Sequence, residues 1–128
     1  MVQESRPILA QLATLPSKSS TFFGLLASPL NLFSIEYRNI QVSNISIYGI
    51  DIQQDYLNGG PTGTPTNGVI IKNITMANIV GTAQAGARDY YILCGNGSCS
   101  DFTFNNIHVT GGTNSSCNIK PTGNFQCV

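Results

Sequence analysis

The sequence predicts an all-β chain, a right-handed parallel β-helix, on four observations. One phrase recurs: an apolar residue, a spacer, then Asn-Ile, in Tyr37–Ile45, Ile71–Ile79 and Phe104–Gly111. Asn39 to Asn73 is 34 residues and Asn73 to Asn106 is 33, and near-constant spacing of one strand motif marks a stacked repeat. Each copy alternates apolar and polar residues, so each strand has one buried face. Finally, the link Leu57–Asn67 is too long for the tight hairpins of a β-sandwich, the competing architecture.

Taken in order, the phrase places Ile40, Val42, Ile74, Met76, Ile107 and Val109 at matching positions of successive coils. The asparagines beside the strand bends suit side-chain ladders, because Asn tolerates the left-handed backbone region. Three to four coils make a small stack whose N-terminal face is open unless residues 1–33 cover it. That segment differs in character from residues 34–128. Ile8, Leu12 and Leu15 form a weak helical pattern before Pro16, so a helical or disordered segment is expected. The run Phe22–Ala27 is too short to span a bilayer. Lys18 precedes it, but Glu4 and the lack of an A-x-A site suit a signal peptide poorly.

Composition narrows the function. Of 128 residues only 9% are charged and the formal net charge is zero, so nothing here would hold a nucleic-acid backbone or a membrane surface. Cys94, Cys99, Cys117 and Cys127 all lie in the last third, and no nearby histidine completes a zinc set. No metal and no cofactor are expected. Four cysteines allow three pairings, of which the local one is simplest. Disulfides imply an oxidising compartment. The sequons at Asn44, Asn73, Asn96 and Asn114 also lean towards a secreted glycoprotein.

The most specific stretches are Tyr48–Tyr56, with its Gln-Gln-Asp-Tyr end, and Pro61–Val69. Cys94–Phe102 and Val109–Gly112 add to them. Together, over Ser34–Val128, they resemble the C-terminal region of fungal polygalacturonases, glycoside hydrolase family 28. The resemblance implies the last coils of a pectinase-type solenoid, the pairing Cys94–Cys99 and Cys117–Cys127, and a secreted monomer. It also implies pectin or oligogalacturonate as partner, and substrate contact through Tyr56. A tyrosine suits that contact, since its ring packs on a sugar face while its hydroxyl finds a polar partner.

The same resemblance implies an inverting hydrolysis of α-1,4-galacturonosyl bonds. That reaction needs a carboxylic acid and an opposing carboxylate ~6.5–9.5 Å apart, with room for water between them. The family draws these acids from an Asn-Thr-Asp motif and an Asp-Asp pair, followed by Gly-His-Gly and Arg-Ile-Lys motifs. None of the four occurs in this sequence, and no two acidic residues are adjacent. Asp51 and Asp55 share a strand face but lie ~13 Å apart by strand rise. Asp51 reads as a surface residue and Asp55 as one that organises a turn. His108 reads as a solvent-facing strand residue. Lys72 lacks the arginine two positions before it that the basic motif requires. No catalytic residue is therefore assigned. The expectation is a C-terminal fragment of a polygalacturonase-like hydrolase that is inactive alone. A non-catalytic pectin-binding or decoy protein, or an incomplete gene model, is the alternative.

Overall fold

Strands form wherever the apolar spacing is two, and they bend wherever it becomes three. The computed structural model describes the backbone of residues 9–12, 21–26, 32–57 and 60–128, and the side chains of residues 34–55 and 61–128. Ten strands follow in order: β1 (Leu9–Leu12), β2 (Thr21–Leu26), β3 (Leu32–Ile45), β4 (Tyr48–Gln53), β5 (Tyr56–Leu57), β6 (Gly60–Pro61), β7 (Ile71–Ala83), β8 (Arg88–Leu93), β9 (Cys99–Thr110) and β10 (Ser116–Cys117). There is no helix among the described residues.

Two parallel sheets wrap one core. One sheet has the order β1-β2-β4-β8-β10 and the other β3-β7-β9. Parallel pairing joins β2 to β4, β4 to β8, β8 to β10, β3 to β7 and β7 to β9. Only β1–β2 and β5–β6 are antiparallel. From β2 on, and apart from the small β5–β6 pair, successive strands thus alternate between the two sheets and return one layer on. This is the stacked-coil arrangement that the repeat predicts.

The long strands bend at left-handed residues five apart. Ser34, Asn39 and Asn44 in β3 have φ of 60°, 56° and 56°, and Asn73 and Asn78 in β7 have 60° and 56°. Asp101 and Asn106 in β9 have 58° and 54°. Each absorbs one residue of the pleat, so the inward face runs Ile71, Ile74, Met76, Ile79 along β7, all fully buried. Tyr37 and Val42 on one side, and Phe102, Phe104, Ile107 and Val109 on the other, complete the layer. Asparagine takes this backbone region at lower cost than most residues. Its side chain then ladders along the outside. Asn106 Nδ2 donates to Asn78 Oδ1 (2.8 Å), and Asn78 Nδ2 donates to Asn39 Oδ1 (2.9 Å). In a second row Asn73 Nδ2 donates to Ser34 Oγ (3.0 Å).

The coil-to-coil alignment corrects the expected register. Asn39 stacks on Asn78 rather than on Asn73, and Ile35 lies opposite Ile74, which lies opposite Phe102. One turn of the coil therefore takes 39 residues and the next 28. Ile40 is matched with Ile79 and Ile107, and Val42 with Gly81 and Val109, as the phrase predicts for the outer coils. Ile74 and Met76 instead face Ile35 and Tyr37. The phrase recurs every five residues within a strand, so sequence spacing alone admits two alignments. The first coil is longer because it carries the Leu57–Asn67 link. At Gly81 a Cβ would sit 1.9 Å from the Val42 carbonyl oxygen, so a side chain at this position would push the layers apart.

The N-terminal segment also departs from expectation. Its described parts, Leu9–Leu12 and Thr21–Leu26, are strands and not a helix. β2 pairs in register with β4, placing Phe23 opposite Ile50, Gly24 opposite Asp51 and Leu25 opposite Ile52. Leu12, the described residue of the weak helical pattern, instead lies in β1, which extends the sheet by pairing antiparallel with β2, opposite Phe23. The Ile8 and Leu15 ends of that pattern, and Lys18, lie outside the described residues.

Candidate substrate-binding face

β4 and its continuation, Gln54-Asp55, place polar side chains where the pleat would otherwise carry apolar ones. Ile50 and Ile52 point into the core and are fully buried. Asp51, Gln53, Gln54 and Asp55 are buried as well, each no more than 5% exposed. Buried polar groups need partners, and each partner here fixes part of the surroundings.

Gln54 is a clamp. Its Nε2 donates to the Val69 carbonyl (2.9 Å), and its Oε1 accepts from the Gly95 amide (2.9 Å) and from the Ser98 hydroxyl. Its own carbonyl accepts from the Thr66 amide (2.9 Å). The link is thereby tied to the loop closed by the Cys94–Cys99 disulfide. Gly95 permits this approach, since a Cβ there would meet the Thr66 carbonyl oxygen at 2.1 Å. Asp55 organises the turn, as the sequence suggests. Its Oδ2 accepts from the Gly63 amide (2.8 Å) and the Tyr91 hydroxyl (2.9 Å), and its carbonyl accepts from the Thr62 amide (2.8 Å).

Asp51 is not on the surface. It lies in register between Gly24 of β2 and Tyr91 of β8, so the sheet continues on both sides of it. Gln53 Nε2 donates to its Oδ2 (2.7 Å). Burial pushes its carboxyl up to about 7, against the opposing effect of the Gln53 hydrogen bond.

Two aromatic rings and a cation sit beside this row. Tyr48 stacks on Tyr91 with ring centroids 5.1 Å apart, and the Arg88 guanidinium lies 4.9 Å over the Tyr91 ring. Burial, helped by neighbouring Tyr48 and Asp51 and opposed by Arg88, raises the Tyr91 phenol. Asp89 holds the next turn by accepting from the Gly112 amide (3.0 Å), and burial raises its carboxyl. Sequence reasoning did not single out Gln54, Arg88 or Tyr91. The available signal was two glutamines inside an otherwise apolar strand pattern.

The remaining expected residues are placed as follows. Tyr56 lies in β5, opposite Pro61. Its side chain, and so its proposed contact with a sugar, lies outside the described residues. Cys94 pairs with Cys99 and Cys117 with Cys127, and among the described residues no cysteine is free. Asn44, Asn73, Asn96 and Asn114 are all exposed, although Asn73 has its amide engaged in the ladder. His108 is exposed, and Lys72 forms an exposed ion pair with Asp101 (3.7 Å). Among the described residues no group of three or more histidine, cysteine or acidic side chains could hold a metal ion.

The family model of glycosyl hydrolases family 28 matches residues 27–127. The chain belongs to this family. The match begins before Ser34, taking in the end of the segment that looked foreign to it. Family 28 relatives share high identity with this member. A probable endopolygalacturonase D of Neosartorya fischeri is 65% identical over 85 residues, 66% of this chain and 18% of that protein. One of Aspergillus oryzae is 58% identical over 92 residues, 72% of this chain and 18% of the relative. A polygalacturonase of Fusarium fujikuroi is 58% identical over 86 residues, 66% of this chain and 23% of the relative. The chain therefore spans about a fifth of the length of the curated relatives it matches.

Proposed function

We propose that this family 28 chain forms the C-terminal coils of a secreted polygalacturonase-like pectin hydrolase. In this reading it holds galacturonate beside Tyr56 and does not cleave it alone. One observation carries the reading. The match over residues 27–127 includes the whole Tyr48–Tyr56 strand and its link, while the sequence contains none of the family's four catalytic motifs. The two disulfides support an oxidising, extracellular setting.

The chemistry argues the same way. The paired acid and base of an inverting hydrolase stand ~6.5–9.5 Å apart across the scissile bond. Here Asp55 is committed to a turn and Asp51 is buried within a sheet. A phenol such as Tyr56, with a reference pKa of about 10, cannot replace a carboxylic acid as proton donor. The half-buried Tyr48 ring, backed by buried Tyr91, and the half-buried Arg88 offer an aromatic edge and a cation for an anionic sugar polymer.

The test is to incubate the purified 128-residue chain with polygalacturonate and measure reducing ends. No release is expected, with weak binding that falls on Tyr56→Ala. Turnover that survives removal of contaminating hydrolases would refute the assignment of catalysis to residues outside this chain. Binding unaffected by Tyr56→Ala would remove the role given to that tyrosine.

A further inference from the structure

Two buried oxygens on β4 lack donors, and they belong to side chains already joined. Gln53 Nε2 donates to Asp51 Oδ2 (2.7 Å), while Asp51 Oδ1 and Gln53 Oε1 are buried and unpaired. Asp51 is 5% exposed and Gln53 2%. An ionised carboxylate placed this way would leave two buried acceptors unsatisfied, which is costly. A single proton on Oδ1, donated to Gln53 Oε1, would satisfy both atoms. It would also remove the charge.

We propose that Asp51 is a neutral carboxylic acid in the folded chain, closing a two-hydrogen-bond ring with the Gln53 amide, and that loss of this proton opens the ring and loosens the sheet around β4. The proton comes from solvent and returns to it, so no other reactant is required. The groups facing Asp51 fit this assignment. From β8, Tyr91 lies opposite in register, with Asp89 two residues before it and the Arg88 guanidinium held over the Tyr91 ring. Tyr48 stacks on the same ring, and Asp55 accepts the Tyr91 hydroxyl. β2 offers no titratable residue, its sequence being Thr21–Leu26, TFFGLL. The ion pairs of the described residues are Arg38–Glu36 and Lys72–Asp101, neither of which reaches Asp51. Burial displaces the carboxyl upwards, to about 7, in the direction this geometry requires.

The direction of the pH effect follows. The fold keeps a proton that the unfolded chain releases near 3.8. The stability this provides is full below that value, declines as pH rises, and is gone above about 7. This inference is independent of the proposed substrate-binding role.

Carbon-13 NMR of the side-chain carboxyls in the full chain tests it directly. Asp51 is expected to titrate with a midpoint about 7. A midpoint near the ordinary 3.8 overturns the proposal. Asp51→Asn provides the second arm, because an Asn amide reproduces both hydrogen bonds without a titrating proton. The wild-type thermal midpoint should fall between about pH 5 and about pH 8, and that of Asp51→Asn should not. An equal fall in both, or none in wild type, also overturns it. Should the variant fail to fold, the wild-type titration decides by itself.

Discussion

At the scale of single residues, the buried polar row of β4 carries most of the information. Gln54 makes three side-chain hydrogen bonds from a fully buried position. Gln54→Leu should leave the Gly95 amide and Val69 carbonyl without this partner. Each stranded group costs about 1–3 kcal/mol, so a loss of several kcal/mol is expected in denaturant unfolding. Asp51 is the opposite case. Its displaced carboxyl spans about three pH units of linkage, or at most about 4 kcal/mol. Asp51→Asn should therefore raise stability at about pH 8 while changing little at about pH 4. Parallel melts at the two pH values check both statements.

At the scale of elements, the bends of β3, β7 and β9 hold the coils in register. Asn78 serves twice, as a left-handed corner at φ 56° and as the middle rung between Asn39 and Asn106. Asn78→Ala loses both functions. It should cost about 1–2 kcal/mol for the backbone and about 0.5–1.5 kcal/mol for each lost hydrogen bond, at the lower end because the ladder is exposed. Asn78→Gly keeps the corner and loses only the rungs, so it should destabilise less. If the two variants unfold at the same denaturant midpoint, the corner contributes nothing and the account of the bends is wrong.

At the scale of the whole molecule, a stack of few coils has two ends to protect. The C-terminal end is stapled by Cys117–Cys127, and the link is anchored through Cys94–Cys99. Both loops are short, so each bridge should contribute about 2–3 kcal/mol. Reduction should lower the thermal midpoint markedly, and an unchanged melt would contradict this. At the other end, β3 is the edge strand of its sheet among the described residues. An edge of 14 residues invites pairing with another strand. The isolated chain is therefore expected to aggregate on concentration, which light scattering would reveal.

Alternation and repetition are local, so the sequence by itself determined the strands, the parallel coils, the asparagine ladders and the family. Short cysteine spacings and a family resemblance likewise made the two disulfides legible. The phase of the repeat was not legible, because Asn-Ile recurs every five residues within a strand. Only the pairing of Asn39 with Asn78 chose the alignment with turns of 39 and 28 residues over the evenly spaced one. The same limit explains Asp51. An aspartate in an alternating strand looks solvated until strands pair on both sides of it, as β2 and β8 do here, and it is found buried. It also explains residues 9–12 and 21–26, whose apolar residues become strands because partners were present. What depends on contact between distant segments — register, burial and the protonation that follows from burial — was decided by the tertiary structure alone.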